Sequence, residues 1–174
     1  MKFAVLKNLR DIEVRDTVVQ GIEAVACTFL LVYGFKVAGK PGAIWALVSA
    51  VIVLRPGFED SLRASLVRIA ANLVGAAVGV TSGLLLGTGP GPIALALFIV
   101  IGVCYWKPLQ AGVRSACAGV VIVMMHEGPV RDAALERFSA VIVGCLAAMA
   151  IGYLGHQIFR RAWIRNQDAI EDAD

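Results

Sequence analysis

Six apolar segments, separated by charged residues or by glycine and proline, restrict what this chain can fold into. Their approximate bounds are 17–35, 43–54, 66–86, 90–106, 111–125 and 138–159. A helix needs about 20 apolar residues to cross the hydrocarbon core of a membrane. The third and sixth segments have that length, whereas the uncharged parts of the second and fifth, 43–54 and 115–125, give less than about 20 Å of helix. We nevertheless predict six membrane crossings, with flanking residues extending the short segments.

The composition supports a membrane protein and argues against the main classes of soluble protein. Of the 174 residues, 59% are hydrophobic and 17% are charged, and the mean hydropathy is +0.78. One soluble domain of this length could not cover so much apolar material with polar surface. Four isolated cysteines lack metal or redox spacing, and no nucleophile or nucleotide-binding motif is present. We therefore expect no enzymatic activity, no cofactor or metal, and no binding to nucleic acid.

The two ends of the chain differ from the apolar middle. Residues 1–16 alternate apolar and basic side chains, which is typical of an amphipathic helix lying among anionic lipid headgroups. We predict a cytoplasmic amphipathic segment at 1–16, an all-α transmembrane domain at 17–159 and a solvated cytoplasmic tail at 160–174.

The lysines and arginines indicate the orientation. If the N-terminus is cytoplasmic, twelve fall on the cytoplasmic side and four on the outer side. The twelve are Lys2, Lys7, Arg10, Arg15, Arg55, Arg63, Arg68, Lys107, Arg114, Arg160, Arg161 and Arg165, and the four are Lys36, Lys40, Arg131 and Arg137. Because cytoplasmic loops carry the excess of cations, this bias predicts that both termini are cytoplasmic.

An internal repeat suggests how the segments are arranged. A shift of 69 residues aligns 46–86 with 115–155 and pairs Arg68 with Arg137 and Gly75 with Gly144. Three segments per copy would insert the second copy upside down. Inverted repeats of this kind are typical of transporters, which bind their substrates near the membrane midplane. We therefore predict an inverted three-plus-three repeat.

The stretch from Trp45 to Phe58, followed by Arg68 and Gly75, resembles the fusaric acid resistance protein-like family. Its relatives include aromatic acid exporters and, more distantly, plant aluminium-activated malate channels. The resemblance covers roughly 17–155 and implies export of organic anions, aromatic carboxylic acids among them, across the bacterial inner membrane. Larger exporters of this kind join two six-span halves, which implies that this chain forms a homo-oligomer, most simply a dimer.

Several cations are candidates for binding the anion. Arg68 and Arg137 begin the third and sixth segments, one expected near each membrane face, and a guanidinium group matches a carboxylate in a bidentate way. The alternative is that they extend to lipid headgroups. Lys107 and Arg114 would share one face at the positive end of the fifth segment. Trp45, in the first turn of the second segment, would either stack on an aromatic substrate or anchor the interface.

Two further polar residues lie within predicted spans. Glu23 is an acid well inside the first segment, where a carboxylate is costly unless it is paired or lines water. It would either couple proton entry to anion exit or neutralise an arginine. Asn72 lies one turn after Arg68 and would bond another helix or support that arginine. The working hypothesis is a proton-coupled exporter, and its rivals are a passive anion channel and a non-transporting scaffold.

Overall fold

The protein is described by a computed structural model covering residues 2–40, 42–55, 57–106 and 109–171, with side chains described between 17 and 158 outside those gaps. Six α-helices form it, and no β-strand occurs in this part of the chain. They are α1 (Lys2–Ala38), α2 (Ala43–Val53), α3 (Phe58–Leu86), α4 (Pro90–Trp106), α5 (Val113–Met124) and α6 (Val130–Glu171), with a 3-10 turn at Gln110–Gly112 before α5.

Three of the helices are long and apolar enough to cross a membrane. They are the described parts of α1 (Thr17–Ala38), α3 (Phe58–Leu86) and α6 (Val130–Ile158). α2, α4 and α5 are apolar but shorter. The predicted all-helical membrane protein is therefore confirmed, whereas six crossings stay a prediction. The amphipathic character expected for 1–16, and the tail 160–174, lie outside the side chains that the structure describes.

The contacts between helices give their relative directions. Gln20 donates a hydrogen bond from Nε2 to the Leu54 carbonyl at 2.9 Å, so the beginning of the apolar part of α1 lies beside the end of α2. Gly83, near the end of α3, faces Val130 at the start of α6. The pairs α1–α2 and α3–α6 are therefore antiparallel.

Two short helices each run parallel to a long helix from the other half of the chain: α5 runs along α3, and α2 runs along α6. Glycines make these contacts close: a Cβ atom at Gly75 on α3 would collide with the carbonyl of Ala116 on α5. A Cβ atom at Gly144 on α6 would collide in the same way with the carbonyl of Ala46 on α2. Small residues allow helix backbones to approach closely where lipid supplies no hydrophobic drive for association. The short helices are thus held by backbone packing against α3 and α6.

The same pattern of burial recurs in α2 and α5. Each has five buried positions with the same spacing: Ala46, Ser49, Ala50, Val53 and Leu54 in one, and Ala116, Gly119, Val120, Val123 and Met124 in the other. These sets are 70 residues apart, and Arg68 and Arg137, at matching places in α3 and α6, are 69 apart. The interior contains mainly small residues, whereas large side chains such as Phe98 and Trp106 face outwards. Lipid as the surrounding solvent accounts for that distribution.

Candidate functional site

Two buried arginines lie in the interior between the long helices. Arg68 is ten residues into α3 and 9% exposed, and Arg137 is seven residues into α6 and 6% exposed. Their guanidinium groups are near enough to repel one another. The prediction that each lies near a different membrane face stays a prediction, and the two guanidinium groups are within electrostatic range of each other. Two like charges therefore share a poorly solvated region.

These guanidinium groups keep N–H donors without hydrogen-bond partners among the described residues. The unpartnered atoms are Nε of Arg68, Nε and Nη1 of Arg137, Oγ of Ser49 and of Ser65, and Oδ1 of Asn72. A buried donor without an acceptor costs free energy, and a charged one costs more. An anion beside either arginine would accept hydrogen bonds from its free donors and offset its charge. The arrangement is thus chemically suited to a carboxylate.

What we call the Arg137 site comprises Arg137, Trp45 and the N-terminal end of α2. The guanidinium carbon of Arg137 lies 4.8 Å from the centroid of the Trp45 ring, a cation–π contact. This contact orients the guanidinium group. The sequence predicted that Trp45 either stacks on a substrate or anchors the membrane interface. Neither role includes this contact with Arg137.

The N-terminal end of α2 is half-buried and packs against α6. Gly42, the residue before α2, has a φ of 100° and makes no side-chain cap. It lies against Ala140, ten residues into α6. The first amides of a helix have no partner within the helix, and together they carry a partial positive charge. The Arg137 site therefore combines a helix end with a buried guanidinium group.

What we call the Arg68 site comprises Arg68, Asn72 and Ser115. Asn72 donates from Nδ2 to the Arg68 carbonyl at 2.9 Å and to Ser115 Oγ at 2.7 Å, joining α3 to α5. Gly112, just before α5, lies against Ala71. The start of α5 therefore lies beside Arg68, much as the start of α2 lies beside Arg137.

Replacing Asn72 by alanine is expected to lower the free energy of unfolding by about 1 kcal/mol, because a hydrogen bond between membrane helices is worth roughly that amount. Unfolding in mixed micelles, followed by circular dichroism, measures the change. Ser115→Ala completes a double-mutant cycle. If the effects of the two single substitutions simply add, the bond between these side chains is not a source of stability.

The other predicted residues lie away from both sites or outside the description. Arg114 is exposed, and Lys107 lies outside the described residues. Glu23 is 8% exposed and packs against Gly155 on α6. Among the described side chains it forms no ion pair with either arginine. The structure thus groups Arg68 with Asn72 and Arg137 with Trp45, and leaves Glu23 apart.

Sequence reasoning missed Ser49, Ser65, Ser115 and Glu136. Serines are common in apolar helices, so only the spacing of Ser65, three residues before Arg68, offered a signal. Glu136 precedes Arg137 directly in the chain, which hid its position beside Gly42, the residue before α2. The serines show that the buried polar groups extend beyond the charged side chains.

Comparison with known proteins identifies the family of this chain. A family model described as fusaric acid resistance protein-like matches residues 25–151, which include Trp45, Arg68, Asn72 and Arg137. The chain belongs to this family. Membership in the fusaric acid resistance protein-like family supports a multi-pass membrane protein that is transporter-like rather than enzymatic.

Curated relatives are similar at low identity. The UPF0421 protein YgaE of Bacillus subtilis (strain 168) is 27% identical over 114 residues, covering 65% of this chain and 32% of the relative. The UPF0421 protein OB2406 of Oceanobacillus iheyensis is 27% identical over 101 residues, covering 57% of this chain and 29% of the relative. The chain therefore spans about a third of the length of these curated relatives. No solved structure matches it significantly.

Proposed function

We propose that this protein exports organic anions, aromatic carboxylic acids in particular, across the bacterial cytoplasmic membrane. The observation that carries the proposal is the pair of buried guanidinium groups of Arg68 and Arg137 with unpartnered donors. A structural pair would neutralise its charge with nearby acids, because an unpaired buried ion is costly. A binding pair keeps its donors free for a transient anion. The family description, with its reference to fusaric acid resistance, favours an aromatic carboxylate and outward movement.

The proposed architecture is six crossings arranged as an inverted three-plus-three repeat with both termini cytoplasmic. Matching burial in α2 and α5 supports it, as does the pairing of each short helix with the long helix of the other half. In the antiparallel α3–α6 pair, Asn72 and Val141 would then lie opposite each other at the centre. Arg68 and Arg137 would each stand four residues from that centre, on opposite sides. An anion could pass from one arginine to the other during a crossing.

Two copies of the chain would form the working unit in this proposal. The fusaric acid resistance-type exporters that it resembles join two such six-span halves. Large apolar side chains are exposed on the outside of α1 and α4. Either lipid or a second copy of the chain would contact them there.

Transport is tested with purified protein in proteoliposomes. Labelled benzoate and other carboxylates are loaded, and their movement is followed with and without a pH gradient across the membrane. The proposal expects carboxylate flux above that of protein-free vesicles and stimulation by the gradient. Unitary currents in planar bilayers without such stimulation would identify a passive channel. No flux with any carboxylate would favour the scaffold.

Replacing Glu23 by glutamine tests proton coupling. The amide cannot exchange a proton, so benzoate flux should lose its stimulation by the pH gradient while downhill exchange continues. Glu59→Gln, at an exposed position in the first turn of α3, is the control and should keep the stimulation. If flux through the Glu23→Gln variant still responds fully to the gradient, Glu23 is not the coupling group.

A further inference from the structure

The Arg137 site and the Arg68 site occupy matching places in the proposed repeat but contain different residues. The burial pattern places Ser115 of α5 where α2 has Trp45. The shift of 69 residues places Val67 of α3 where α6 has Glu136. One site therefore contains an indole ring and a carboxylate, whereas the other contains a hydroxyl group and an aliphatic side chain.

Glu136 lies at the positive end of α2. It is one turn before Ala140 on α6 and is half-buried. A Cβ atom built on Gly42 would lie 3.4 Å from the Ala140 Cβ atom and 3.8 Å from Oε1 of Glu136. The carboxylate thus stands beside the residue that precedes α2, without forming a side-chain cap. The partial positive charge of the helix end attracts it.

The equivalent position beside α5 lacks an acid. A Cβ atom built on Gly112 would lie 3.2 Å from the carbonyl oxygen of Val67 and 3.3 Å from its Cγ1 atom. Val67 therefore stands beside Gly112 as Glu136 stands beside Gly42. The start of α5 and Arg68 are left without a nearby carboxylate of this kind.

Besides the helix end, the Arg137 site contains buried donors without partners. Arg137 is 6% exposed, and its guanidinium group lies over the ring of Trp45, the third residue of α2. Its Nε and Nη1 atoms have no partner, so Glu136 does not satisfy them. An anion bound to these donors and to the first turn of α2 would approach a carboxylate of the same charge.

We infer that Glu136 is a built-in carboxylate that competes with the transported anion for the positive end of α2. It makes the Arg137 site weaker than the Arg68 site. The inference rests on the proposed function and adds its regulation: an anion leaves the Arg137 site readily because Glu136 repels it. A difference in affinity between the two sites would then favour release from the Arg137 side.

The test uses the fluorescence of Trp45 as a local probe. In a background with Trp106→Phe and Trp163→Phe, benzoate is titrated and the emission of the remaining indole ring is recorded. Glu136→Gln should tighten benzoate binding by about tenfold, because it removes a repulsion that solvent only partly screens. Asp132→Asn, at an exposed position one turn earlier on α6, should leave the affinity unchanged.

A flux measurement in the native tryptophan background gives a second reading. The benzoate concentration at half-maximal flux should fall by a similar factor in Glu136→Gln and stay unchanged in Asp132→Asn. If the parent protein transports benzoate and Glu136→Gln changes neither value, or weakens binding, the inference is wrong and the proposed function stands. If the parent and the variant neither bind nor transport any carboxylate, the proposed function fails and this inference with it.

Discussion

Alanine in place of Arg68 or Arg137 is expected to reduce benzoate flux by at least about tenfold, since hydrogen bonds to a charged group are worth roughly 1.5–3 kcal/mol each. The protein should still fold. Each substitution removes a buried charge that has no ionic partner among the described residues and that repels the other arginine. The substitution removes the free-energy cost of burying the guanidinium charge. This gain offsets much of the stabilisation lost with the packing of the arginine side chain.

The measurement combines proteoliposome flux with thermal unfolding of the same preparations. Lysine at either position should give intermediate flux, because an ammonium group keeps the charge but not the bidentate geometry. Arg63→Ala is the matched control: Arg63 is on α3 but exposed, and its loss should change flux little. Full flux through Arg68→Ala and Arg137→Ala would show that neither guanidinium group binds the transported anion.

Alanine in place of Gly144 is expected to have the largest effect on folding. The added methyl group would collide with the backbone carbonyl of Ala46, and a backbone atom cannot move aside as a flexible side chain can. Overpacking of this kind costs about 1–3 kcal/mol, and the rigid partner places this site at the upper end. Separation of α2 from α6 would also displace Trp45 from Arg137, so flux should fall as well.

Gly34→Ala is the control for this prediction. Gly34 is also in a helix, but nothing lies within 4 Å of a Cβ atom built there. Alanine is the better helix former by about 1 kcal/mol, so this variant should unfold at the same temperature or higher. Gly75→Ala should resemble Gly144→Ala, because it meets the carbonyl of Ala116. Unchanged unfolding of Gly144→Ala would show that the α2–α6 contact is looser than described.

The ends of the helices were predictable where apolar runs end. The predicted ends at 86 and 106 coincide with the ends of α3 and α4. The beginnings of the long helices were not: α3 starts at Phe58, eight residues before its predicted apolar run, and α6 likewise starts early, at Val130. An apolar run marks only the part of a helix that contacts lipid. The helix itself continues beyond that run into turns that carry charged residues. Acids such as Glu59 in the first turn favour the helix there.

The candidate site was only partly predictable. Arg68, Arg137, Trp45 and Asn72 were identified from the sequence, and Asn72 was expected to support Arg68 or to bond another helix, as it does with Ser115 of α5. The contact between Trp45 and Arg137 was not predicted. The earlier helix starts place the arginines well inside α3 and α6, so their side chains come within range of each other. The stack between Trp45 and Arg137 joins residues far apart in the chain, and no local spacing reports it. Glu136 was missed for the same reason.

The sequence by itself determined that this is a helical membrane protein and where α3 and α4 end. A chain in lipid must satisfy its backbone hydrogen bonds internally, so long apolar runs have few alternatives to the helix. Only the tertiary structure decided which polar groups meet. That choice depends on which glycines let two backbones touch, as Gly144 does with Ala46 and Gly75 with Ala116. Hydropathy treats all small apolar residues nearly alike, whereas close packing depends on the exact position of each missing methyl group.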